Sequence, residues 1–328
     1  MRTLSLIITT LAGWLLALPA LAFDLQGHRG ARGLAPENTL PAFARALSIG
    51  VHTLELDVAI TADGVLVISH DPRLNPDISR GPDGQFLSSP GPLIHGSRFD
   101  ELQRYELGRI RPGSRYAAQF PDQVPADGTR LPKLSELFDL VKRSGNSRVR
   151  FDIETKVFPL APDDTLAPEP FARALIAGIR SAGMASRSSI QSFDWRTLAV
   201  VQREAPEIST VYLSAQQSWL DNIGAGARSA SPWTAGLNYA DHGSVPKMVH
   251  AAGGGIWAAY HGDLNAAKLL EARALGLQVL AWTVNEPAQI ETMLTLGVDG
   301  IISDRPDRVR EAMARRGMAL PAATPVQP

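Results

Sequence analysis

Residues 27–60, GHRGARGLAPENTLPAFARALSIGVHTLELDVAI, hold a complete loop–helix–strand passage, and the rest of the chain is read outward from it. Gly27-His28-Arg29-Gly30-Ala31-Arg32-Gly33 packs glycines, two arginines and a histidine into seven residues. Glycine lets a backbone turn sharply and approach a ligand closely. Guanidinium offers forked donors that suit phosphate, and imidazole moves protons near neutral pH. Together they suggest a phosphate-ester site, although short Gly/Arg runs are also common in surface loops. Asn38 or Thr39 can cap a helix. Leu40, Phe43, Ala44 and Leu47 then recur at helical spacing, and Gly50 ends the helix. In the following strand, Thr53–Ile60, side chains alternate between faces. Leu54, Leu56 and Val58 share one face, and Glu55 and Asp57 the other. Two acids so close destabilise one another, so their presence on an apolar strand needs a reason.

Beyond this passage, Asp63-Gly64 is a turn signal. The apolar run Val65–Ser69 leads to His70-Asp71-Pro72. Residues 72–132 break the rhythm, with 16 of 61 residues Gly or Pro. So long a loop in a compact domain is usually functional or disordered. Its Tyr105, Arg109, Arg111, Arg115, Tyr116 and Phe120 indicate a folded cap, though each taken singly fits plain packing and solvated charge equally well. Strand patterns then recur at 148–155, 189–193, 210–213, 256–260, 278–284 and 300–303, alternating with helical ones. Strand alternating with helix is the pattern of a parallel α/β architecture. With Val65–Ser69 set aside there are eight clear strands, plus a weak one near Gly236–Asn238. The expected fold is a (β/α)8 TIM barrel over residues 23–316 with a cap inserted at 72–132. A doubly wound open sheet fits less well, because no G-x-G-x-x-G turn follows the first strand. The Ala/Pro-rich end, 317–328, is expected to be disordered.

Composition narrows the class. The formal net charge of −1 argues against a nucleic-acid binder that works by bulk charge. The absence of cysteine excludes disulfides and thiolate metal sites. Residues 1–22 have a basic start at Arg2, an apolar run from Leu4 to Leu18 and an Ala-x-Ala end, the pattern of a secretory signal peptide. The expectation is therefore a periplasmic or secreted protein with no stable membrane anchor after cleavage, the alternative being an uncleaved N-terminal anchor.

In a (β/α)8 barrel the active site lies at the C-terminal ends of the strands. Those ends carry His28-Arg29, Glu55 and Asp57, Glu154-Thr155-Lys156, Gln191-Ser192, Trp282 with Asn285, and Ser303-Asp304, while His70 ends the extension after the second strand. Three carboxylates without cysteine suit a hard cation, Mg²⁺ or Ca²⁺. Arg29 and Lys156 suit phosphoryl oxygens, and two histidines suit acid/base work. Glu154 and Lys156, taken alone, could equally be a structural ion pair. Burying the whole set without a function would be costly.

In this order the motifs His28-Arg29-Gly30, Pro36-Glu37-Asn38-Thr39, Glu55-Leu56-Asp57, Asp63-Gly64 to His70-Asp71, Glu154-Thr155-Lys156, Gln191-Ser192-Phe193, Trp282-Thr283-Val284-Asn285 and Asp299-Gly300-Ile301-Ile302-Ser303-Asp304 resemble the glycerophosphodiester phosphodiesterase family, in its periplasmic or secreted branch. The resemblance covers nearly all of the chain after residue 22. It implies a (β/α)8 barrel with an inserted cap and His28 and His70 as the acid/base pair. It further implies one divalent ion on Glu55, Asp57 and Glu154, phosphate held by Arg29 and Lys156, and a glycerol pocket lined by Trp282. The implied products are sn-glycerol 3-phosphate and an alcohol. Thr155 stands where the family usually has an apolar residue, and Ser303 where Thr is common. A lysophospholipase D or sphingomyelinase D-like enzyme acting on lipids is the nearest alternative, distinguished by an open apolar mouth instead of one closed by Arg and Tyr. A phosphodiester-binding protein without turnover is the alternative from another class.

Overall fold

The computed structural model describes residues 23–328. The signal-peptide assignment, residues 1–22, lies outside the described residues. Eight parallel strands form the barrel: β1 (Asp24–Gly27), β2 (Thr53–Ile60), β3 (Arg150–Thr155), β4 (Ser188–Ser192), β5 (Ser209–Ser214), β6 (Ile256–Tyr260), β7 (Gln278–Trp282) and β8 (Gly300–Ser303). Each pairs with its neighbour in sequence, and β1 closes the ring by pairing with both β8 and β2. The segment 236–238 is loop, so it is not a barrel strand. Every residue of β2 is buried. Its Leu54, Leu56 and Val58 join the main core beneath the surrounding helices, which turns Glu55 and Asp57 into the barrel interior.

The loop–helix passage after β1 forms for local reasons. Thr39 caps the helix Leu40–Ile49 by accepting from the Ala42 amide, and Gly50 terminates it at φ 87°. Gly30 has φ 84°, and a Cβ there would lie 2.6 Å from the backbone of Ala42. Its lack of a side chain thus lets the turn pack against the first helix.

Leu66–Ile68 is an antiparallel strand on β2, pairing Val58 with Ile68. Gly64 supplies the turn at φ 78°, and the Ser69 amide donates to the Asp57 carbonyl at 2.9 Å. This register carries His70 back to the level of Asp57. The inserted segment, 72–132, contains short helices at Phe99–Leu102 and Arg115–Gln119. It builds a small core of its own from Leu74, Ile94, Leu102 and Leu131 against Ala59 and Val67.

The chain end corrects the expectation of disorder. Residues 317–328 lie extended along the barrel surface. The Thr324 amide donates to the Leu47 carbonyl at 2.8 Å, Arg310 to the Pro321 carbonyl at 2.7 Å, and Asn146 to the Thr324 hydroxyl at 3.1 Å. Met318 and Val326 pack on the core. Composition missed this because the partners are backbone carbonyls and distant side chains that a local pattern does not show. Among the described residues, no helix is long and apolar enough to cross a membrane.

Candidate active site

The strand ends of β1, β2, β3, β4 and β8 bring the charged groups together. One oxygen each from Glu55, Asp57 and Glu154 lies within 4.8 Å of the others, and all three side chains are buried. Gln191 donates to Glu55 Oε1 at 2.7 Å, the Arg29 amide donates to Glu55 Oε2 at 2.8 Å, and Asn38 donates to Asp57 Oδ2 at 2.8 Å. Lys156 donates to Glu154 at 2.7 Å and stands 3.6 Å from Asp57 Oδ1. The structural ion pair is therefore real, but it is built into the acidic cluster. Arg29 bonds Glu37 at 2.7 Å and faces Asp57 at 3.2 Å.

Unbalanced charge shows in the acids. Burial, with Asp57 beside it, pushes the Glu55 carboxyl well above the usual carboxylate range. Burial likewise raises Glu154 to about 7, against the pull of Lys156. Burial opposes ionisation of Asp57 as well, but Arg29, His70, Lys156 and Asn38 outweigh it and hold that carboxyl low. Asp57 Oδ1 is buried and accepts no hydrogen bond. Three converging carboxylates, two of them raised by burial and one with an orphaned oxygen, fit a hard cation that takes oxygen ligands. Glu55, Asp57 and Glu154 can hold a metal ion.

Each histidine is oriented by an aspartate. His28 Nδ1 lies 2.6 Å from Asp304 Oδ1, and His70 Nδ1 lies 2.7 Å from Asp71 Oδ1. Burial opposes ionisation of Asp304, yet Arg32 and His28 hold it well below the usual range. Burial also pushes Asp71 upward, but its hydrogen bond with His70 brings it down to about 2. Ionised carboxylates only accept, so each Nδ1 carries the proton and each Nε2 lone pair is left free. His28 Nε2 points inward, 3.8 Å from Glu55 Oε2. Loss of water lowers His28 to about 4, despite the pull of Asp304. Loss of water, reinforced by Arg29 and Lys156, lowers His70 to about 3. Burial thus favours the neutral form of both rings.

The other side of the barrel interior is apolar. Val211, Leu213, Ala258 and Leu280 form a cluster under Phe193 and Trp282. Trp282 donates to the Ala258 carbonyl at 3.1 Å. It meets Phe193 at 5.3 Å and Tyr260 at 5.6 Å between ring centroids. Trp219, 58 % exposed, extends the aromatic wall to the surface.

The structure thus brings His28, Arg29, Glu55, Asp57, Glu154 and Lys156 into one contact network, sets His70 near enough to help hold the Asp57 carboxyl low, and places Trp282 on the apolar side. Glu37, Asn38, Gln191 and Asp304 belong to that network, and Asp71 bonds His70, although the sequence assigned none of them a role in the site. Strand-end position marks Gln191 and Asp304, but their partners lie far away in sequence. Arg32, one of the two arginines of the Gly/Arg run, grips Asp304 through Nε at 2.7 Å and Nη2 at 3.1 Å. Gly30 makes room for a helix, not for a ligand.

A barrel with acids, histidines and cations at its strand ends defines a class of phosphate-ester enzyme, and comparison with known proteins makes the class specific. Residues 28–308 match the model of the glycerophosphoryl diester phosphodiesterase family. The chain belongs to that family. A glycerophosphodiester phosphodiesterase of Caldanaerobacter subterraneus is 25% identical over 88% of this chain and 97% of its own. A Silicibacter pomeroyi protein assigned as a glycerophosphoryl diester phosphodiesterase is 35% identical, with TM-score 0.80 over 91% of this chain and 95% of its own. An Oleispira antarctica phosphodiesterase, solved in complex with the product sn-glycerol-3-phosphate, shares the fold at 20% identity and TM-score 0.63, over 89% of this chain and 96% of its own.

Proposed function

We propose that this enzyme hydrolyses glycerophosphodiesters to sn-glycerol 3-phosphate and an alcohol, with His28 and His70 as the acid/base pair and one Ca²⁺ or Mg²⁺ on Glu55, Asp57 and Glu154. The observation that carries the reading is the pairing of two aspartate-oriented imidazoles with a buried carboxylate triad. The product bound by the Oleispira neighbour supports the glycerol phosphate half of the substrate.

A bound divalent ion would supply positive charge for the phosphoryl oxygens and for the acids that surround them. Arg29 and Lys156, fixed by Glu37, Asp57 and Glu154, add charge to the same oxygens and orient the ester. One neutral histidine takes on Nε2 the proton of the attacking oxygen, either water or the neighbouring glycerol hydroxyl whose cyclic phosphate water then opens, while Asp71 or Asp304 stabilises the imidazolium that forms. The other histidine, protonated when the diester anion is bound, gives its proton to the departing alcohol oxygen. Trp282 covers the carbon skeleton of the glycerol. Arg32 and Tyr116 at the mouth favour a small polar substrate over an acyl chain. The proposal includes export, with cleavage after Ala22; N-terminal sequencing of the exported protein should begin at Phe23.

The test is release of glycerol 3-phosphate from glycerophosphocholine by the purified protein. Chelator should abolish it, and added Ca²⁺ or Mg²⁺ should restore it. Full activity in chelator would contradict the metal assignment, and no release under any condition would contradict the substrate.

A further inference from the structure

The inserted segment does more than cover the barrel. Its short helix, Arg115–Gln119, and the residues after it reach the loop that follows β1. Tyr116 donates its hydroxyl proton to Glu37 and accepts from Arg32 at 3.4 Å. Phe120 lies edge-on to Tyr116, with ring centroids 5.0 Å apart, and the Arg32 guanidinium stacks over it at 4.7 Å. Gln123 donates to the Arg32 carbonyl at 2.7 Å.

The two side chains that Tyr116 touches lead to different parts of the site. Glu37 holds Arg29 at 2.7 Å, and Arg29 faces Asp57. Arg32 holds both oxygens of Asp304, and Asp304 holds His28. A single phenol thus joins the arginine beside the acidic triad to the histidine beside it. Glu37 and Arg32 are 3.9 Å apart at their nearest charged atoms, so removing the hydroxyl leaves them without the bridge that sets their spacing. Partly buried charge-assisted hydrogen bonds of this kind fix orientation more than they add stability.

We propose that Tyr116, with Phe120 beneath Arg32, is a positioning residue of the reaction: the inserted segment holds Arg29 and His28 in register with each other. Neither aromatic touches the reacting atoms. They act through Glu37 and Arg32, and the site is complete only with this helix seated on the β1 loop. The inference rests on the assignment of His28 to acid/base work.

The test compares steady-state kinetics on glycerophosphocholine for Tyr116→Phe, Phe120→Leu, and Tyr116→Phe placed on an Arg32→Gln/Glu37→Gln background, with His28→Ala alongside. Tyr116→Phe keeps the ring and its packing, so kcat should fall about tenfold with KM within about twofold, because binding groups remain while their alignment is lost. Phe120→Leu should show the same split. On the Arg32→Gln/Glu37→Gln background, Tyr116→Phe should cost less than about twofold more, the non-additivity expected of groups that act in series. Unchanged kcat in both single variants would overturn the inference, as would an equal tenfold loss on the altered background. If His28→Ala retains full activity, it is the acid/base reading that fails; if His28→Ala is inactive while Tyr116→Phe matches the native enzyme, only the role of the inserted segment fails.

Discussion

The two halves of the barrel interior are built to opposite rules. Around β1, β2, β3 and β4 the inward side chains are mostly polar or ionisable, Asp304 joins them just past β8, and their hydrogen bonds reach across strands far apart in sequence. Around β5, β6 and β7 they are Val211, Leu213, Ala258, Leu280 and Trp282, held by contact with one another. An apolar interior stabilises a barrel by burial alone. A charged one costs several kcal/mol per ion and recovers that only where each group is paired. The charged half therefore marks where chemistry takes precedence over stability, and the apolar half is free to shape a pocket for the uncharged part of a substrate.

Substitutions separate the halves. Asp57→Asn removes the ionised acid at the centre of the network and should lower kcat/KM by about 10³-fold with the fold retained, measured by glycerol 3-phosphate release beside a circular dichroism spectrum. A tenfold loss or less would mean that Asp57 is a structural acid. The metal affinity of the charged half should also follow pH. Glu154, raised to about 7, holds a proton below neutrality that a cation must displace, and burial shifts Glu55 in the same direction. Apparent affinity for Ca²⁺ or Mg²⁺ should therefore rise with pH up to about 7, by about tenfold per unit for each proton released. Isothermal titration in two buffers of different ionisation heat reads that proton count, and an affinity flat from pH 5 to 8 would contradict it. Trp282→Ala, on the apolar half, should raise KM about fivefold and leave kcat within about twofold, the pattern of lost uniform binding. A fall in kcat instead would assign Trp282 to the charged half.

The same division governs what the sequence makes legible. Glu55 and Asp57 declare themselves because alternation along Thr53–Ile60 separates them from Leu54, Leu56 and Val58, and the barrel follows from eight such strands. His70 is legible as the end of the short run after Asp63-Gly64, though only the antiparallel register shows how it returns to Asp57. Asp304 with His28, Gln191 with Glu55, and Tyr116 with Glu37 are not legible. Their separations of 276, 136 and 79 residues carry no periodic signal. The docked chain end, 317–328, is hidden for a related reason: its hydrogen bonds run to the Leu47 carbonyl and to the side chains of Arg310 and Asn146, none of them marked by a local pattern.

The central proposal is that His28 and His70 exchange protons with the reacting oxygens. Its most direct test is the rate of glycerol 3-phosphate release at saturating glycerophosphocholine and metal, for His28→Ala and His70→Ala against the native enzyme. Each variant should lose at least about 10²-fold in kcat, the usual scale of general acid/base catalysis. Native kcat in either variant would contradict the pairing of these two histidines.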